Sequence, residues 1–204
     1  MGTGRLEAFS DGVIAVSITL LVLGIRVPPP GPHQSLGHSL GVNWPNYVAY
    51  AISFVTIGII WINHHAMIGR LTSADHSILI LNILLLMTIG ILPFATDLMA
   101  TYLRQAHGQR LAAGIFGGAF LLMAIAFATL NHQILLRRPH LIAATLSIEE
   151  RRRILARSIT GLVPYAIATA LAIVSAYATL AICAGLAVFY ALPIATGAQR
   201  ATAT

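Results

Sequence analysis

Six long apolar segments, punctuated by short charged or proline-rich connections, constrain this chain more than any other feature. A bilayer core about 30 Å thick requires roughly 20 predominantly apolar helical residues to cross it. The segments that approach this length lie near residues 9–27, 46–68, 78–98, 111–131, 155–173 and 177–194. Backbone polar groups left unpaired in hydrocarbon are too costly for an open sheet, and the ten-residue alternation of a barrel is absent. The expectation is an all-α integral membrane protein of six transmembrane helices, with residues 1–204 forming one domain.

Composition agrees with lipid as the solvent. Of the 204 residues, 57% are hydrophobic and 9% charged, and the mean hydropathy is +0.83, outside the range of ordinary soluble domains. In a soluble protein a net charge of +6 would suggest nucleic acid. Here every basic residue is Arg, and the arginines cluster in a few connections, which is how a membrane protein is oriented. Arg5, Arg70, Arg137, Arg138, Arg151, Arg152, Arg153, Arg157 and Arg200 fall on one side, and Arg26, Arg104 and Arg110 on the other. The positive-inside rule then places both termini in the cytosol, with the plasma membrane as the expected location.

The first segment follows Arg5 as a signal peptide's would, but it has no clear small-x-small cleavage site and is expected to be retained. The connection from Val27 to Trp44 carries Pro28, Pro29, Pro30 and Pro32 and reads as a loop with little regular structure. Ser147-Ile148-Glu149-Glu150 resembles the start of a short surface helix. The boundary between the last two segments rests on the weak turn signal Val174-Ser175-Ala176-Tyr177. The lone cysteine, Cys183, lies in an apolar run and reads as a packing residue. The later segments do not echo the first, so a symmetric pathway would have to come from several chains.

A search for enzyme chemistry finds no convincing metal cluster, nucleophile with its base, or phosphate loop. His64 and His65 are adjacent, so on a helix they point about 100° apart and cannot clamp one ion as an i,i+4 pair would. Gly114, Gly117 and Gly118 read as small-residue helix packing.

The first segment is different. Only fourteen uncharged residues, Gly12 to Ile25, separate Asp11 from Arg26, about 21 Å of helix. Asp11 is therefore drawn to the edge of the hydrocarbon zone, where a carboxylate requires partners. Arg5 is the nearest candidate, and His64 and His65 could supply hydrogen bonds from a neighbouring helix. A plainer account, in which Ser10-Asp11 caps the helix and Arg5 anchors topology, stays equally open from spacing alone. The helical wheel puts Gly12, Val16, Thr19 and Leu23 in one narrow stripe with Leu20 beside it and Ser17 nearly opposite. Periodicity does not decide which face lines a pathway.

The string Arg5-Leu6-Glu7-Ala8-Phe9-Ser10-Asp11-Gly12 resembles the Arg-x-x-x-Phe-Ser-Asp signature of the transmembrane protein 175 family of potassium channels. Ala15 to Leu23 follows that family's first-helix pattern. Tyr50, Ser53-Phe54 and Trp61-Ile62-Asn63-His64-His65 match its second helix, and Asn82 with Leu92-Pro93-Phe94-Ala95-Thr96 its third. The likeness is specific over the first three segments and compositional over the rest.

The resemblance implies a homotetrameric, potassium-permeable channel without a Thr-Val-Gly-Tyr-Gly filter, its pore lined by the first helix of each copy. Val16, Leu20 and Leu23 would form the hydrophobic constriction and Thr19 the layer favouring potassium. Arg5, Phe9, Ser10 and Asp11, with His64 and His65, would form the polar network that holds the pore helix, and loss of Asp11 would then cost the tetramer. Val16 is smaller than the Ile or Leu common at its position, so a leaky pore with modest preference for K+ over Na+ is expected. Neither a cofactor nor a nucleic-acid partner is expected; potassium and other monovalent cations permeate, and lipid surrounds the assembly. The alternatives are a proton-coupled transporter using Asp11, His64 and His65, a proton leak channel, or a scaffold whose basic loop 137–157 binds anionic headgroups.

Overall fold

The computed structural model describes residues 2–29, 35–143 and 146–192. Among these the chain is helical apart from one isolated antiparallel bridge between Leu71 and Ile142. Pro30, Pro32, Arg200 and the expected end of the last segment at 193–194 lie outside the described residues.

Helix α1 spans Thr3–Leu20 and tightens into a 3-10 turn over Leu21–Gly24. It thus begins six residues ahead of the expected 9–27 and ends short of it. Arg5 and Glu7 belong to the helix because Glu7 finds a partner on the neighbouring α3, Trp44–Ile68, where His65 Nδ1 donates to Glu7 Oε1 at 2.7 Å. The described part of the 27–44 connection also holds more regular structure than expected. It contains a short helix α2, Leu36–Val42, whose start is capped by Ser35 Oγ accepting from the His38 N–H at 3.3 Å.

The third apolar segment divides into α4, His76–Gly90, and α5, Leu92–Tyr102. Pro93 causes the break at Ile91: it has no N–H to donate and its ring crowds the carbonyl four residues back. Helix α6, Gln109–His132, is entered from Gly108 at φ +84° and continues as a π-helical turn over Gln133–Arg137. The positive φ requires glycine, and a Cβ there would lie 2.8 Å from the Tyr102 ring.

Helix α7, Ile148–Thr160, opens on a complete capping box, with Ser147 Oγ accepting from the Glu150 N–H and Glu150 Oε2 from the Ser147 N–H. The expected surface helix is not separate from the fifth span. Gly161 interrupts it only briefly before α8, Leu162–Leu171, so the span runs from Ile148 and not from 155. Ser175, in the expected turn, caps α9, Ala176–Ala191, by accepting from the Ala178 N–H at 3.3 Å.

Among the described residues, five helical runs are long and apolar enough to cross a membrane: Thr3–Gly24, Trp44–Ile68, His76–Tyr102, Gln109–Arg137 and Ile148–Leu171. The sixth, α9, has 16 described residues, about 24 Å of helix. With this many apolar spans, the chain is a multi-pass membrane protein.

Helix α6 is the centre of the bundle, in contact with α4, α5, α7, α8 and α9. Phe116 and Phe120 meet edge to face at 4.9 Å between ring centroids, and Phe120 stacks on Tyr165 of α8 at 5.7 Å. Gly117 lets the two backbones touch: a Cβ on it would lie 3.1 Å from the Thr169 Cα. Gly114 and Gly118 are looser, with their nearest side-chain atoms on Ala172 and Thr169 at 3.9 Å.

Ties at the two ends of the bundle fix its polarity. At one end Arg138 pairs with Asp75 at 2.7 Å, and the Thr72 N–H donates to the Leu141 carbonyl at 2.9 Å. This end gathers the start of α1, the ends of α3 and α6 and the starts of α4 and α7. At the other, Arg104 donates to the Val42 carbonyl at 3.1 Å and Arg26 lies 4.0 Å from Asp97. Among the described residues the arginines divide between these two ends of the bundle as their positions in the sequence predict.

Candidate functional site

Helix α1 sits at the edge of the bundle and packs on α3, α4 and α5. One face is fixed to them. Leu6, Ser10, Ile14, Ser17 and Leu21 recur every three or four residues and are all buried. The hydroxyls of Ser10 and Ser17 donate to the Leu6 and Val13 carbonyls of their own helix, so both serines enter the apolar interior with their protons satisfied.

A directed chain of hydrogen bonds crosses this interface. His64 Nε2 on α3 donates to Asn82 Oδ1 on α4 at 2.8 Å, Asn82 Nδ2 donates to Ser10 Oγ at 3.0 Å, and Ser10 donates to the Leu6 carbonyl at 2.8 Å. His64, Asn82 and Ser10 are each fully buried. Such a chain aligns its dipoles in a low-dielectric setting and ties three helices at one level. It leaves His64 Nδ1 without a partner among the described residues. A parallel tie joins Ser53 of α3 to Thr96 of α5 at 2.7 Å, whose hydroxyl oxygens also lie in the interior.

A second cluster covers the exposed side of the α1–α3 seam. Trp61 Nε1 donates to Asp11 Oδ1 at 2.8 Å, His65 donates to Glu7, and the Trp61 and His65 rings lie 6.2 Å apart. The structure therefore brings Ser10 and His64 together only through Asn82, and gives Asp11 to Trp61. The expected pairing of Arg5 with Asp11 is absent within one chain: Arg5 is exposed and has no hydrogen bond or ion pair among the described residues. Six residues of helix place the two side chains about 120° apart, on different sides of α1.

The opposite face of α1 has no cover. Phe9, Gly12, Val16, Thr19, Leu20 and Leu23 all point out of the bundle, with Val16 56% and Leu23 70% exposed. Gly12 has open space where a side chain would be. Thr19 Oγ1 donates to the Val16 carbonyl at 2.8 Å, so its proton is committed to the helix and its lone pairs face outward. Ser17, which the helical wheel set against this stripe, faces the protein.

No spacing in the sequence ties Asn82, Trp61 or Glu7 to the polar network. Asn82 and Trp61 stood within the strings that resemble the second and third helices of the family, which was the available signal. No group of three or more His, Cys, Asp or Glu residues suited to a metal occurs among the described residues.

Residues 5–93 match the family model described as endosomal/lysosomal potassium channel TMEM175. A potassium channel of Streptomyces collinus is 39% identical over 188 residues, covering 92% of this chain and 91% of that protein. The crystal structure of a lysosomal potassium-selective channel TMEM175 homolog from Chamaesiphon minutus superimposes with a TM-score of 0.83 at 36% identity, covering 96% of this chain and 98% of that one. The chicken endosomal/lysosomal proton channel TMEM175 is 43% identical over 113 residues, 52% of this chain and 23% of that protein.

Proposed function

Because the chain belongs to the TMEM175 family of ion channels, we propose that it is a potassium-permeable cation channel in which copies of α1 surround a common pore. The carrying observation is the division of α1 into a face pinned to its own subunit by Ser10 and Ser17 and an outward stripe of Gly12, Val16, Thr19 and Leu23. In this reading six spans per subunit, with α9 as the last, assemble as a homotetramer in the plasma membrane. Both termini face the cytosol, the side richer in arginine.

Rings of Val16, Leu20 and Leu23 form the constriction. Water leaves a methyl-lined throat readily, and a hydrated cation gains nothing from the lining, so the ring is a barrier that grows with its apolar bulk. Valine makes that ring wider than Leu or Ile would, which lowers the barrier and gives a modest preference for K+ over Na+. The outward lone pairs of Thr19 replace part of the hydration shell. Ser10, Asn82 and His64 hold the pore helix from behind, Asp11 on Trp61 and Glu7 on His65 hold it from the side, and Arg5 contributes positive charge at the cytoplasmic mouth. Conduction is passive and uses no cofactor.

The test is potassium flux from liposomes containing the purified protein. Val16→Asn hydrates the constriction and raises flux; Thr19→Ala lowers the preference for K+ over Na+. Unchanged flux and ion preference in both would move the pathway off this face. A proton conductance is the second reading, favoured by the naming of the chicken relative as a proton channel and by the titratable residues Asp11, His64 and His65 beside α1. A pH-sensitive dye in the same liposomes, under a potassium gradient, separates the two: proton flux without potassium flux would replace the first reading by the second.

A further inference from the structure

A cavity of about 440 Å³ opens among α3, α6, α7, α8 and α9, remote from the outward face of α1. Its size falls within the 300–1,000 Å³ typical of small-molecule sites. The wall is apolar along Ile59, Ile60, Ile154, Phe127 and Leu186, and basic where Arg70 and Arg157 enter it. Arg70 follows the end of α3, is half-buried, and forms no ion pair among the described residues. Burial pulls its guanidinium below the ordinary pKa, the signature of a cation short of compensating charge. Asn131 in the same wall is 3% exposed. Its Nδ2 donates to Ser158 Oγ at 2.9 Å, while its Oδ1 is buried with no hydrogen-bond partner. The cavity thus offers the Arg70 guanidinium, one orphaned acceptor and an apolar wall, with Arg157 adding positive charge beside them. An occupant that satisfies all three carries a negative charge, a hydroxyl donor and a hydrocarbon tail.

We propose that this cavity binds an anionic glycerophospholipid with a hydroxylated head group, its phosphate at Arg70 and Arg157, its hydroxyl directed to Asn131 Oδ1, and its chain along the isoleucine wall. Guanidinium groups recognise phosphate through charge-assisted, often paired hydrogen bonds. A basic pocket between membrane helices at the arginine-rich end of a bundle is where anionic head groups gather. Arg70 lies in the 69–75 turn, two residues past the end of α3 and five past His65, so an occupant there would bear on the helix that holds α1.

The test is native mass spectrometry of the full chain in neutral detergent, titrated separately with phosphatidylglycerol, phosphatidylcholine and inorganic phosphate. Binding is read without reference to conduction, so its failure and that of the channel reading are distinguishable. One phosphatidylglycerol per chain is expected, held about tenfold more weakly in Arg70→Gln and unaffected in Arg110→Gln at the other end of the bundle. Ala66→Trp, which fills the cavity from an exposed position, should also weaken binding if the tail enters, and it keeps the test open if Arg70→Gln does not fold. Equal affinity for phosphatidylcholine would overturn the proposal, as would equal loss in Arg110→Gln. Inorganic phosphate binding as tightly as phosphatidylglycerol would make this a soluble-anion site, and would equally overturn it.

Discussion

Asn82 is the residue on which the attachment of α1 turns, since its amide accepts from His64 and donates to Ser10 in the interior of the bundle. Asn82→Leu fills similar space but leaves the His64 Nε2–H without an acceptor, a cost of about 1–3 kcal/mol. The melting temperature in detergent is expected to fall, and an unchanged value would show that the chain of hydrogen bonds contributes little. Asp11 is a milder case because its partner Trp61 is 42% exposed and the bond lies at the seam. Asp11→Asn keeps an oxygen for the indole N–H and should be nearly neutral, whereas Asp11→Ala loses about 1 kcal/mol. Equal effects from both variants, measured by thermal unfolding, would mean that the carboxylate's charge is what matters. At this scale the sequence was informative about which residues are polar and where they sit along the helix. It did not reveal their partners, because His64, Asn82 and Ser10 come from three helices whose relative rotation no local pattern encodes.

Breaks between helices follow local chemistry and were only partly legible. Pro93 explains the division of α4 from α5, and Ser175 the start of α9. Local pattern does not reveal the early start of α1, because two charged residues resemble a flank and the contact of Glu7 with His65 comes from another helix. The α6–α8 crossing is a sharper test of packing. Gly117 brings its helix against the Thr169 backbone, so the neighbour cannot move aside as a flexible side chain would. Gly117→Leu forces the helices apart at a cost of about 1–3 kcal/mol or more. Gly114→Ala, where the nearest side-chain atom is 3.9 Å away, should be tolerated. Comparable loss of folded protein on heating in both variants would indicate that the close approach at Gly117 is not limiting.

For the whole molecule, the decisive question is what covers the outward stripe of α1. A tetramer built around it brings Leu23 of each copy toward the axis, whereas Val163, 61% exposed, stands on α8, which packs on α6, α7 and α9. Oxidation of Leu23→Cys in membranes should give subunit dimers on a non-reducing gel, and Val163→Cys should not. The native Cys183 is fully buried and contributes no background. Cross-linking at Val163 with none at Leu23 would place α1 against lipid.

The sequence by itself determined that the chain is a membrane protein of apolar helices, which end carries the arginines, and which residues of the first helix share a stripe. These follow from hydrophobicity, charge and the 3.6-residue period, all carried by neighbours along the chain. Only the tertiary structure decided that the Ser17 side of α1 is the buried one, that Asp11 belongs to Trp61 and not to Arg5, and that Asn82 links His64 to Ser10. Each of those outcomes depends on how one helix is rotated against another, and that rotation is set by side-chain packing between segments far apart in the chain.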